Sequence, residues 1–144
     1  MECREASFCL SDDIRAAHRL VKVRRRDWPY MCCKADTGSP TVWVNKVGTF
    51  GISSAPYWWA KLFALVGRFV GHLMGNAWFL HLVYVDDLHG SFVGKEKFTN
   101  LWIWILAFEL VGTPFAYHKF RGGFSSEFVG YQLREVCGGD SRLL

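Results

Sequence analysis

The residues best equipped for chemistry in this sequence are carboxylates. Tyr84-Val85-Asp86-Asp87 sets two acids side by side at the end of the apolar run Trp78 to Val85, and Asp12-Asp13 closes a second apolar run, Ser7 to Leu10. Adjacent carboxylates repel each other, and holding them at the end of a buried strand opposes folding. A divalent cation removes that opposition. Mg²⁺ is held by a few carboxylates together with substrate phosphates, and waters complete its octahedron. Two such ions about 3.5–4 Å apart activate an attacking hydroxyl and stabilise a departing pyrophosphate. Asp13 from one strand and Asp86 from its neighbour are the expected bridging ligands, with Asp87 a weaker third. A lone Asp at a strand end is ordinarily a turn residue. Two acidic sites, each behind an apolar strand, carry the stronger reading.

Those strands need a scaffold. Ser7 to Leu10 reads as a buried strand that delivers Asp12-Asp13. Leu20 to Arg24 alternates, with Val21 and Val23 opposite Lys22 and Arg24, and reads as a half-buried strand. Tyr30 to Lys34 and Thr41 to Val47 flank Asp36-Thr37-Gly38-Ser39-Pro40, a hairpin with a Gly/Pro turn. After the glycine-containing loop Gly48 to Ser54, Ser53 or Ser54 can cap a helix, and Pro56 is tolerated only in its first turn. Trp58, Leu62, Leu65, Phe69 and Leu73 recur at helical spacing and predict its packed face. Trp78 to Val85 is continuously apolar and predicts a central strand buried on both faces. Leu88 to Val93 returns from it, which puts Asp86-Asp87 at a hairpin turn. A second helix runs from about Lys95 to Leu110 and stops at Gly112-Thr113-Pro114. Phe115 to Phe120 and Glu127 to Leu133 are expected as the last strands, joined across Gly122-Gly123. The order ββαββαββ describes one α+β domain over residues 1–144, an antiparallel sheet with two helices packed on one face.

Composition agrees with a packed domain. The chain has 144 residues, 51% hydrophobic and 21% charged, which excludes a disordered tail. Its net charge of +4 permits a nucleic-acid partner without requiring one. The 7 Trp, 5 Tyr and 12 Phe need a core or a partner surface to cover them. Five cysteines, an odd number without a CxxC pair, argue against a disulfide scaffold or zinc ribbon and for a reducing compartment. No apolar signal core follows Met1-Glu2-Cys3-Arg4-Glu5. The longest apolar run, Leu101 to Phe108, is far short of the roughly 20 residues a membrane span needs. The expectation is an intracellular protein of nucleus or cytoplasm, neither secreted nor membrane-bound.

The ordered motifs resemble the palm of a reverse transcriptase, an RNA-directed DNA polymerase of the retrotransposon or retroelement type, over roughly Phe8 to Leu133. Asp13 to Val21 resembles the family's first motif, an Asp followed four and five residues later by Ala and an aromatic. Val47 to Pro56 resembles the second, an FG-x-SSAP loop leading into a helix. Tyr84-Val85-Asp86-Asp87 resembles the YxDD box. Gly112 to Lys119 resembles the fourth motif, a glycine turn and a strand carrying a lysine. Phe128-Val129-Gly130-Tyr131 resembles the primer grip. The spacing to Ala17-His18 selects Asp13 over Asp12, in keeping with the alternation of side chains along a strand.

The resemblance implies template-directed nucleotidyl transfer with two Mg²⁺ or Mn²⁺ ions. Asp13, Asp86 and Asp87 would hold the metals, and Lys119 would protonate the leaving pyrophosphate. Ile14, His18, Phe50, Gly51 and Tyr84 would contact the substrate. The partners implied are an RNA or DNA template with its primer and deoxynucleoside triphosphates. His18 stands where the family has Tyr or Phe, so looser sugar discrimination is expected. Only twelve residues precede Asp13 and eleven follow Leu133. Fingers and thumb are therefore expected to be largely absent, and activity to need contact with them. The alternative is an inactive remnant that binds nucleic acid or a protein. Viral RNA replicases usually carry Gly where this chain has Val85, and nucleotide cyclases lack the FG-x-SSAP loop.

Other residues have plainer readings. Lys22, Arg24, Arg25 and Arg26 form a basic run suited to template phosphates or, more commonly, a solvated turn. His81, inside an apolar strand, reads as a core histidine, and His72, His81 and His89 fit no zinc spacing. Cys32-Cys33 are expected as small buried hydrophobes. Trp58, Trp59, Trp102 and Trp104 are expected to be partly exposed.

Overall fold

The computed structural model describes residues 7–49 and 51–134. Its strands are β1 (Phe8–Asp13), β2 (Cys32–Cys33), β3 (Trp43–Val44), β4 (Phe79–Tyr84), β5 (Asp87–Phe92), β6 (Arg121–Gly123), β7 (Ser125–Phe128) and β8 (Tyr131–Arg134). The helices are α1 (Ser54–Met74) and α2 (Lys97–Leu110), with short 3-10 turns at Ala17–Leu20, Arg25–Met31 and Tyr117–Lys119. The architecture is α+β with antiparallel sheets. Among the described residues no helix is long and apolar enough to cross a membrane. The chain divides into two compact units, one of Ala16–Ala64 and the other of the residues through Arg15 with those from Leu65 onward.

The second unit is built on a four-stranded sheet of order β4-β5-β1-β6. Register fixes its faces, because directly opposed residues project to the same side. Phe8, Leu10 and Asp12 lie opposite Phe92, Gly90 and Leu88, which lie opposite Phe79, His81 and Val83. Helix α2 and the part of α1 from Leu65 onward cover this face. Trp104 of α2 packs its ring 5.7 Å from Phe92, 6.0 Å from His81 and 5.0 Å from Phe108. Gly67 of α1 lies against the same histidine, where a Cβ would come within 3.0 Å of the His81 ring. The two helices thus share one face, as the element order predicts, and His81 is a core histidine whose pKa burial lowers.

Four expectations give way. The run around β4 is not a central strand. It forms the sheet edge and leaves Trp78, Leu80, Val83 and Tyr84 exposed, while the less apolar β5 takes the interior place because both β1 and β4 pair with it. The expected packed face of α1 is also wrong. Trp58, Leu62, Leu65, Phe69 and Leu73 are exposed, whereas Ala55, Trp59, Phe63, Val70 and Met74 are buried. The buried stripe is rotated by one residue, about 100°. The helix is apolar on most sides, so spacing offers more than one candidate stripe. Of the four tryptophans, Trp58 and Trp102 are exposed but Trp59 and Trp104 are buried, and Cys32 and Cys33 are exposed rather than buried.

The remaining differences are local. Leu20 to Arg24 makes one bridge, Lys22 with Val47, instead of a strand. Phe115 to Phe120 is a bridge to Ile14 followed by the turn Tyr117–Lys119. Gly122-Gly123 lies within β6, and Glu127 to Leu133 folds back on itself as β7 and β8.

In the unit of Ala16–Ala64, the hairpin β2–β3 follows the basic turn. Trp28 donates Nε1–H to the Val23 carbonyl at 3.1 Å, with Arg25 and Lys46 over its ring at 5.9 and 4.9 Å. Gly48 packs on the His18 carbonyl so closely that any Cβ there would overlap it.

Candidate functional site

The β1–β5 register sets Asp13 opposite Asp87, and β4–β5 sets Tyr84 opposite Asp87. Val85 and Asp86 form the two-residue turn between β4 and β5. Val85 has φ +56°, a left-handed conformation that a β-branched residue adopts only under strain. The Asp86 carbonyl accepts the Ile14 N–H at 2.7 Å, which ties the turn to the end of β1. Asp13 in turn accepts the Ala116 N–H at its backbone carbonyl, 2.9 Å away. Segments 70 residues and more apart in the chain therefore meet at the acidic end of the sheet.

Lys119 completes the cluster. Its ammonium donates to Asp13 Oδ2 at 2.8 Å from the turn after Ala116, not from the strand expected there. That hydrogen bond raises the Lys119 pKa, and the charges of Asp13, Asp86 and Asp87 add to the effect. Asp87 has its pKa raised by burial, then by the charges of Asp86 and Asp13, with Lys119 opposing. These are the signs expected of carboxylates crowded around too little positive charge.

Asp12 faces the other way, into the helix-covered side opposite Leu88. It is 5% exposed, and neither carboxyl oxygen has a hydrogen-bond partner of good geometry. Burial pushes its pKa up to about 6, with the Asp13 amide and Lys119 offsetting part and the Asp13 charge adding to it. The pleat thus gives the two neighbours opposite environments.

Other predicted residues are dispersed. The Ile14 side chain is fully buried. Tyr84 is exposed beside the turn. His18 and Gly51 belong to the unit of Ala16–Ala64, and Phe50 lies outside the described residues. Phe128, Val129, Gly130 and Tyr131 form the β7–β8 turn, with φ +51° at Val129 and +78° at Gly130. Arg24, Arg25 and Arg26 are exposed, and Lys22 and Arg24 line a cavity of about 720 Å³ together with Val21, Ile52 and Trp58.

The donor set of Asp13, Asp86 and Asp87 is all carboxylate oxygen, which suits a hard divalent cation over a softer transition metal. Among the described residues, however, no three His, Cys, Asp or Glu side chains are grouped closely enough to hold a metal ion as they stand. Sequence reasoning did not assign His89, which is buried on the Asp13–Asp87 face among serines. The signal was available: Ser11 stands two residues before Asp13 and His89 two after Asp87, so alternation puts all four on one face. No protein-family model matches the chain, and no curated protein matches it significantly.

Proposed function

We propose that the chain is a polymerase palm of the reverse-transcriptase type, whose acidic cluster serves template-directed nucleotidyl transfer from deoxynucleoside triphosphates to a primer inside the cell. The observation that carries the proposal is the register of Asp13 opposite Asp87, with Asp86 in the adjoining turn. Asp13 and Asp86 would hold two Mg²⁺ or Mn²⁺ ions, with Asp87 assisting. Bound ions of that kind supply an activated hydroxyl nucleophile and neutralise phosphate charge. Lys119, which bonds Asp13, would offset triphosphate charge and protonate the departing pyrophosphate. Three carboxylates with one ammonium leave a negative cluster, which attracts cations and repels a bare triphosphate. Cation binding therefore precedes nucleotide binding in this reading.

The Asp13–Lys119 ion pair also favours a second reading, an inactive palm that binds nucleic acid, because Lys119 neutralises Asp13 by itself. Primer extension separates the two. The chain, joined to fingers and thumb segments of a reverse transcriptase, is incubated with a primer annealed to RNA, deoxynucleotides and Mn²⁺. Incorporation that Asp86→Asn lowers by about a hundredfold or more supports the polymerase. Salt-sensitive duplex binding with no incorporation supports the remnant. Full extension by Asp86→Asn would refute the acidic mechanism.

A further inference from the structure

Behind the carboxylates, on the same face of the sheet, lies a second polar cluster centred on His89. The residue is 0% exposed. Its Nδ1 is 2.9 Å from Ser11 Oγ and 3.4 Å from Ser126 Oγ, and its Nε2 is 2.8 Å from Ser91 Oγ. Ser91 Oγ continues the chain to Cys9 Sγ at 3.2 Å. The Phe128 ring covers the imidazole at 5.4 Å between centroids. A buried imidazole without partners is strongly unfavourable, whereas one bonded at both nitrogens is stable in either tautomer.

An apolar side chain would fill this place more simply, so the polar contacts call for a role. Two weaknesses in the sheet supply one. Strand β5 carries Gly90 at its middle, and β6 pairs Gly122 and Gly123 against β1. Gly90, Gly122 and Gly123 have no side chain to help hold the register, and a slip of one residue turns every side chain to the opposite face. Such a slip would send Asp13 toward the helices and Asp12 toward Asp87. The Ser11–His89 bond joins directly opposed residues of β1 and β5, so it forms only in the observed register. The hairpin β7–β8 is, moreover, a separate two-stranded sheet, and Ser126 reaches the same imidazole from it.

We propose that His89 is a positioning residue: it locks the β1–β5 register that sets Asp13 opposite Asp87 and seats the β7–β8 hairpin against the sheet. The first half rests on the reading of Asp13, Asp86 and Asp87 as cation ligands. The second half does not.

The test uses the full chain with two readouts, Mn²⁺ affinity by electron paramagnetic resonance and amide hydrogen exchange in residues 125–134. His89→Leu, with folding checked by circular dichroism, is expected to weaken Mn²⁺ binding about tenfold, the lower end of what losing a ligand-orienting partner does. It is also expected to speed hairpin exchange. Ser11→Ala, too small a change to unfold the chain, is expected to weaken Mn²⁺ binding with little effect on the hairpin, and Ser126→Ala to do the reverse. His89→Gln, which keeps a donor and an acceptor, is expected to restore much of both. Wild-type affinity and exchange in folded His89→Leu, or in both serine variants, would overturn the proposal. If the wild type binds no Mn²⁺, the cation-site reading fails and the register half with it, while the exchange experiment still decides the hairpin half.

Discussion

Lys119 Nζ lies 2.8 Å from Asp13 Oδ2, joining residues 106 positions apart at the acidic end of the sheet. The side chains are 52% and 22% exposed, so water screens the pair and it adds little to stability. Its effect on a competing cation is more informative. A divalent ion reaching Asp13 displaces the ammonium and gives up that interaction. Lys119→Met is therefore expected to bind Mn²⁺ about two- to fivefold more tightly than wild type, the modest gain of removing a screened competitor. Asp13→Asn is expected to lose most of the binding. Weaker binding by Lys119→Met, measured by titration at fixed ionic strength, would mean that the lysine organises the carboxylates instead of competing for them.

Asp12 makes the stability depend on pH in a defined direction. Its folded pKa is raised from 3.8 to about 6. Its favourable contribution is thus fully present below about pH 4 and is lost as the pH rises through 6. The full shift corresponds to about 3 kcal/mol. His81 and His89 act oppositely, since burial lowers both pKa values, and their contribution, present above pH 6.5, fades on acidification. Asp12→Asn is expected to gain about 1–2 kcal/mol at pH 7.5, less than the full shift because its buried amide also lacks partners. Between pH 6 and 4 it should lose stability more steeply than wild type, because the opposing Asp12 contribution is gone. Urea midpoints at several pH values check this, and parallel wild-type and variant curves would contradict it.

The rotated stripe of α1 separates neighbouring residues by energy. Phe63→Ala and Val70→Ala remove buried side chains and are expected to destabilise by about 3–5 and 1–3 kcal/mol. Leu62→Ala and Leu73→Ala, one turn-position away on the exposed side, are expected to stay within about 0.5 kcal/mol. Equal losses in chemical denaturation from both pairs would place the packed face where spacing first suggested it.

The β7–β8 turn carries strain that substitution can relieve. Val129 and Gly130 both have positive φ, the pattern of a type I′ hairpin in which asparagine and glycine are preferred. Valine in the left-handed region is unfavourable by roughly 1–2 kcal/mol. Val129→Asn is expected to raise the chain's stability by about 1 kcal/mol, seen as a higher denaturation midpoint. A loss would show that the Val129 side chain makes a contact worth more than the strain.

Local signals in the sequence determined much of the scaffold. Helix α2 begins two residues after its expected start and ends where Gly112-Thr113-Pro114 demands, because helix breakers act on adjacent backbone groups. Asp86 lies in the turn expected between β4 and β5, while Asp87 already belongs to β5. Alternation separated Asp12 from Asp13, since the pleat has a period of two wherever a strand forms. Tertiary structure alone decided which strand is central, which stripe of α1 is buried, and that Lys119 and His89 meet residues from the start of the chain. An apolar run, or a helix apolar on most sides, satisfies its local pattern in several orientations. The choice among them is made by tertiary partners, such as β1, which pairs with β5 across 74 to 84 residues of chain, and such pairing leaves no periodic trace in the sequence.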